Sequence, residues 1–299
     1  MTAVLPQAGC AEISRAVSEP MAGTAPSARR WLCLEHPDAW PGDINKDPNP
    51  AVRALLARSV VAGFRPLLIR GTVSAPQQRR RVFLIDTAPG AVVVTMLAVE
   101  RPEELTDLPL PDLDSPLPGE PVPEPMLLIC THDQRDPCCG LAGKGLAETL
   151  AAPTVFECSH LGGHRFAPTA FVLPTGYLYG RLEPESATAV HLAAAAGEVV
   201  TDSCRGRCSW SPGGQVAELA VRSATGLRAP DAVVVLDEND DTVHLRTASG
   251  DRWDVDLERV EVDTTRPASC GARPTLMAPL RAAAVRLVNG PTAMPGIQD

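Results

Sequence analysis

Two short apolar runs, residues 126–129 and 154–158, each end on side chains that bind metals. The first opens onto Cys130-Thr131-His132 and then Cys138-Cys139-Gly140, the second onto Cys158-Ser159-His160 and Gly162-Gly163-His164. Runs of this length bounded by polar, glycine-containing loops read as buried strands. Between them Leu141, Ala142, Leu146 and Leu150 keep helical spacing. A strand, helix, strand order makes the two strands parallel neighbours and brings the loops at their ends together at one edge of a sheet. That constraint fixes the chain as α/β.

Working outward, residues 31–35, 66–69, 81–86 and 91–99 read as strands and 49–61 as a helix opened by Pro50, together a smaller N-terminal α/β unit over 31–102. Residues 103–125, dense in Pro, Asp and Glu, read as an acidic extended linker. Residues 170–173 and 177–182 flank Pro174-Thr175-Gly176 as a hairpin, and helices follow at 184–199 and 215–223. The unit 126–228 therefore has the element order of a thioredoxin-like domain. Strands at 232–236, 242–247 and 252–257 form a short antiparallel extension within 229–299, whose acidic tip at 237–241 lacks calcium-loop spacing and reads as a solvated turn. Residues 1–30 lack periodicity and read as a disordered leader, and neither a repeat array nor a dinucleotide-binding glycine motif is present.

A formal charge of -9 and a pI near 5.2 argue against nucleic acid or an anionic membrane as partner, because both need a basic surface that releases counterions. No segment has the roughly 20 apolar residues of a membrane span, and no export signal heads the chain, so a cytoplasmic protein is expected. Nine cysteines are an odd number, and in a reducing compartment clustered cysteines point to metal rather than to disulfides.

The donors fit a [2Fe-2S] cluster, which takes two protein ligands per iron: Cys130 with Cys139 on one iron and His160 with His164 on the other. Replacing two thiolates by neutral imidazoles brings the formal cluster charge from about -2 to about zero, which eases reduction. By analogy with Rieske centres, a potential between roughly -150 and +300 mV is expected, with proton-coupled electron transfer through the outer imidazole nitrogens. Arg135 and Arg165 stand beside the ligands as charge partners. Cys138 is the competing thiol next to Cys139, and His132 reads as a structural hydrogen-bond donor.

These residues resemble the sucrase/ferredoxin-like family of thioredoxin-like [2Fe-2S] proteins, which includes bis-histidine members. The resemblance rests on Cys130-x-His132-x-x-Arg135-Asp136-x-x-Cys139-Gly140, on Ser159-His160-x-Gly162-Gly163-His164-Arg165-Phe166-Ala167, and on Leu173-Pro174-x-Gly176-x-x-Tyr179-Gly180. Weaker similarity lies at Trp31-Leu32-x-Leu34-Glu35-His36 and Arg205-Gly206-Arg207. It implies Cys130, Cys139, His160 and His164 as ligands and one-electron transfer with a protein redox partner, a reductase or an oxidase.

Two other chemistries use the same residues. The donor set of two thiolates and two imidazoles also suits zinc in a structural or protein-binding domain. Thiol-disulfide exchange would use Cys138 with Cys139, or Cys204 with Cys208. Cys158 should pack beside the centre, whereas Cys10, Cys33 and Cys270 have no partner nearby in sequence and read as free thiols.

Overall fold

The computed structural model describes residues 9–73, 79–239, 241–260 and 265–289, with Asn289 in its backbone only. Its chain opens with α1 (Cys10–Ala16) and continues into β1 (Arg30–Glu35), in which all six residues are buried. Asn49 accepts the Ala51 amide and Pro50 fills the first position of α2 (Pro50–Val61), so this helix starts where the sequence places it. Three strands follow, β2 (Phe64–Gly71), β3 (Arg80–Asp86) and β4 (Val93–Val99), and then the two-residue β5 (Glu120–Pro121). The donor-bearing half comprises β6 (Met126–Cys130), α3 (Lys144–Thr149), β7 (Val155–Cys158), β8 (Ala170–Leu173), β9 (Tyr177–Tyr179), α4 (Pro184–Ala195) and β10 (Cys204–Arg207).

These ten strands form one sheet in the order β10-β9-β8-β6-β7-β2-β1-β3-β4-β5. The order is a repeat that the sequence hides. In each half a parallel pair joined by a helical crossover, β1 with β2 and β6 with β7, is followed by two antiparallel strands laid on the first member. The halves join through antiparallel β2 and β7, which pair from Ile69↔Cys158 to Gly71↔Phe156. The expected break between 102 and 126 is therefore no boundary between sheets. Residues 103–125 are pinned rather than free: Leu105 and Leu108 are buried, and Arg30 donates to the carbonyls of Asp112 at 2.6 Å and Ser115 at 2.7 Å.

The sheet curls tightly. Trp31 on β1 meets Phe171 on β8 with ring centroids 4.5 Å apart, although three strands lie between them; a flat sheet would separate these strands by roughly 19 Å. The concave side holds a core shared by both halves, including Trp31, Cys33, Phe83, Leu128, Cys130, Phe156, Cys158 and Phe171. Convex cores lie under α2 (Leu32, Leu34, Val52, Leu55, Leu56) and around α3 and α4 (Ile129, Leu146, Val172, Val190). Each fully buried apolar side chain contributes about 1.5–3 kcal/mol.

The leader expected to be disordered is ordered from residue 9 onward. Arg181 donates to Ser14 Oγ at 2.9 Å and to the Glu19 carbonyl at 2.9 Å, and Glu19 is itself buried in ion pairs; these charged contacts leave no apolar periodicity to read. Residues 1–8 lie outside the described residues. At the other end α5 (Pro212–Thr225), capped by Ser211 and by left-handed Gly226, packs on a separate sheet. Its strands are β11 (Val233–Asn239), β12 (Thr242–Thr247), β13 (Arg252–Arg259) and β14 (Leu280–Asn289), so the antiparallel extension gains a fourth strand. Asp240, in the expected acidic tip, lies outside the described residues.

Candidate metal centre

Cys130 is the last residue of β6 and Cys158 the last of β7, and they are register partners in the parallel pair. The loops beyond them leave the same edge, as the strand order demands. After β6 the loop is held by the Thr131 hydroxyl on Glu157 at 2.8 Å and by a 3.0 Å contact of His132 Nε2 with the Pro41 carbonyl. Cys139 then opens a wide π-type turn (Cys139–Gly143) ahead of α3, a departure from regular helix that often marks functional sites. A Cβ on Gly143 would overlap the Cys130 carbonyl, so only glycine lets the turn press against the strand end and aim Cys139 inward. Cys139 is 1% exposed.

After β7, the Ser159 hydroxyl accepts the Leu68 amide at 2.9 Å and anchors the loop to β2. Gly162 (φ +82) and Gly163 (φ +73) then reverse the chain through conformations that other residues seldom adopt. The reversal stacks the His160 and His164 rings with centroids 4.1 Å apart and planes 13° from parallel. His164 Nδ1 lies 3.4 Å from Cys139 Sγ and 4.0 Å from Asp136 Oδ2. Cys130, Cys139, His164 and His160 thus form a continuous chain of contacts.

The electrostatics suit metal ligation. A hydrogen bond from Cys139, reinforced by the amides of His132 and Leu161, outweighs burial and lowers the Cys130 thiol to about 7. The same bond, with burial, raises Cys139. Burial, with Arg135 nearby and the His164 ring disfavouring a second positive charge, lowers His160 to about 3, and burial lowers His164 as well. Both rings are therefore neutral near pH 7, the form that ligates metal. Arg205 is fully buried against Thr24 and donates to the Gly162 carbonyl at 2.9 Å; burial lowers its guanidinium to about 10, and the nearby Cys130 and Cys139 oppose that shift.

Of the two arginines expected beside the donors, Arg135 lines a cleft of about 400 Å³ with His160 and Arg65. Arg165 points elsewhere: it pairs with Glu19 at 2.8 Å because that buried carboxylate requires a cation. Cys138 turns away from its neighbour and meets Cys10 at 3.7 Å and Cys270 at 3.3 Å. Cys10 and Cys270 are therefore not isolated thiols; their partners are more than a hundred residues away in sequence. Cys158 and Cys33 lie in the concave core near Cys130. Cys204 and Cys208 belong to different cores, so their short spacing does not make a pair.

The molecule is thus a mixed α/β protein whose cysteine, histidine and aspartate side chains converge on a site able to hold a metal. The sucrase/ferredoxin-like family model matches residues 21–206, and the chain belongs to that family. No curated protein and no solved structure matches it. Among the described residues no helix is long and apolar enough to cross a membrane.

Proposed function

We propose that the chain is a [2Fe-2S] protein that passes single electrons to or from a protein redox partner, with Cys130 and Cys139 as ligands of one iron and His160 and His164 of the other. The observation carrying this reading is the convergence of two thiols and two neutral imidazoles from loops at the ends of adjacent parallel strands. The donor set fits such a cluster, and the amides aimed at Cys130 are the groups that stabilise thiolate sulfur there. The bound cluster supplies a one-electron couple. The chain excludes water from the thiol side, where Cys130 and Cys139 are each 1% exposed. His160 instead borders the open cleft, so the imidazole side is where an electron reaches a partner. Arg135 and Arg65 beside that opening suit an acidic partner surface. A reducing cytoplasmic setting agrees with nine free cysteines.

Iron and acid-labile sulfide analysis of purified protein, followed by EPR of the reduced state, tests the proposal. Equal iron and sulfide with a Rieske-like signal supports it. A second reading, a zinc ion at this site, is favoured by the 3.4 Å separation of Cys139 Sγ and His164 Nδ1, close to the roughly 3.5 Å edge of a tetrahedral zinc site, and by Asp136, whose carboxylate lies within 4.8 Å of both. Colourless protein carrying zinc but no iron would establish that reading instead.

A further inference from the structure

We propose that Cys10, Cys138, Cys270 and Asp136 form a second metal site, a tetrahedral zinc site of three thiolates and one carboxylate that clamps both ends of the chain onto the donor loop. Cys10 belongs to α1, Asp136 and Cys138 to the loop after β6, and Cys270 to the turn between Arg266 and Thr275, which are joined by an antiparallel bridge. Their potential ligand atoms all lie within 4.8 Å of one another. The three sulfurs form a triangle with sides of 3.7 Å (Cys10 to Cys138), 3.3 Å (Cys138 to Cys270) and 3.6 Å (Cys270 to Cys10). Asp136 Oδ2 completes the set 3.7 Å from Cys10 Sγ. A zinc ion with Zn–S bonds of about 2.3 Å spaces its sulfurs roughly 3.8 Å apart, so small movements would seat the ion.

The surroundings fit ligands rather than a chance meeting of thiols. The Asp136 carboxylate is oriented by two amides, Cys138 N–H to Oδ1 at 2.9 Å and Cys270 N–H to Oδ2 at 2.8 Å. Polar contacts that fix ligand orientation are the usual support of a metal site. A disulfide would use two of the three sulfurs and would give Asp136 no part. Soft thiolates select zinc over magnesium or calcium, and binding releases the thiol protons to solvent. Glu19 ties the N-terminal and C-terminal segments together independently, and to the neighbouring loop that carries His164, with its carboxylate 2.8 Å from Arg165 and 2.8 Å from Arg266. Cys10 and Cys270 lie outside residues 21–206, so the site goes beyond the part of the chain that matches the family.

Cys138 and Cys139 are adjacent in sequence but serve different groups of donors, and Asp136 lies between them. Zinc at the second site should therefore hold the first site's loop in place. The test is metal and sulfide analysis of full-length protein beside Cys10→Ser and Cys270→Ser, with zinc-dependent protection of individual cysteines from alkylation mapped on the wild type. Expected are roughly one zinc per chain in addition to any metal at Cys130 and Cys139, its loss in both variants with iron and sulfide retained, and protection of Cys10, Cys138 and Cys270 together. The alkylation map keeps the test decisive if a variant fails to fold, and it separates this proposal from the cluster reading because it reports each cysteine in turn. Zinc that protects only Cys130 and Cys139, full alkylation of Cys10 and Cys270 at saturating zinc, or a disulfide among the three in protein purified without oxygen would overturn the proposal.

Discussion

The two halves of the large sheet share a strand order but fill equivalent loops with opposite chemistry. In the first half β1 ends at Glu35, which pairs with Arg81 at 2.7 Å, and the next residue, His36, is buried. Arg80 donates to His36 Nδ1 at 3.0 Å, which leaves Nε2–H to face Asp47 Oδ2 at 3.0 Å. In the second half β6 ends at Cys130, and the following loops present thiols and imidazoles to one another. The first set is built from ion pairs and close polar contacts among carboxylate, imidazole and guanidinium groups. The second is drawn together by contacts weaker than metal coordination would supply. One scaffold thus carries ion pairs in one half and side chains able to hold a metal in the other, and the loops meet where His132 contacts the Pro41 carbonyl and the Trp40 ring.

The largest expected effect breaks the second half alone. Cys130→Ser or Cys139→Ser should abolish bound iron and visible absorbance, because each removes one of the two thiolate ligands of an iron. Cys33→Ala, at a buried thiol on β1, should keep the iron and cost about 1 kcal/mol through the small cavity it leaves. Iron retained in Cys130→Ser would remove the distinction between the halves. Next in size are His160→Cys and His164→Cys, which add negative charge to the centre. Potentiometry should show the midpoint falling by on the order of 100 mV or more, with EPR moving toward the all-cysteine type. Spectra identical to wild type would exclude both histidines as ligands. The reciprocal change, His36→Ala, should leave the EPR signal intact and cost about 2 kcal/mol in chemical denaturation, since the fully buried Asp47 keeps the Asn49 amide on Oδ1 but loses the imidazole facing Oδ2.

Much of the donor half was legible because the information is local. An apolar run fixes the strand, its last residue fixes Cys130, and the paired glycines fix the reversal between His160 and His164. The repeat was not legible. Helix α2 carries twelve residues, whereas the matching crossover spends five on a π turn and six on α3, so the halves share no readable period. Segments held by charged side chains were missed for a similar reason. Arg30 holds residues 103–125 and Glu19 holds the N-terminal segment, and neither contact leaves a periodic trace in sequence. Cys10 and Cys270 are 260 positions apart, a separation that no spacing rule spans.

The smallest expected effect sharpens the comparison through acid. Each half has a buried carboxylate held by arginines: Asp86, between Arg29 and Arg30, in the first, and Glu19, between Arg165 and Arg266, beside the second. Burial acts upward on both, but hydrogen bonds from the arginines outweigh it and leave each below its ordinary value of 3.8 or 4.5. A carboxylate depressed in the folded state stabilises fully above its unfolded pKa, and that contribution is lost as pH falls through the folded value. Only Glu19 touches the loop that carries His164. Between pH 5 and pH 3, Asp86→Asn should therefore flatten the fall in melting temperature, by roughly 2–4 °C per kcal/mol of lost linkage, without changing how readily metal is released. Glu19→Gln should weaken metal retention already at neutral pH and flatten its further loss in acid. If Asp86→Asn altered metal release as much as Glu19→Gln did, the two halves would not be separable in this way, and the ends of the chain would have no special hold on the centre.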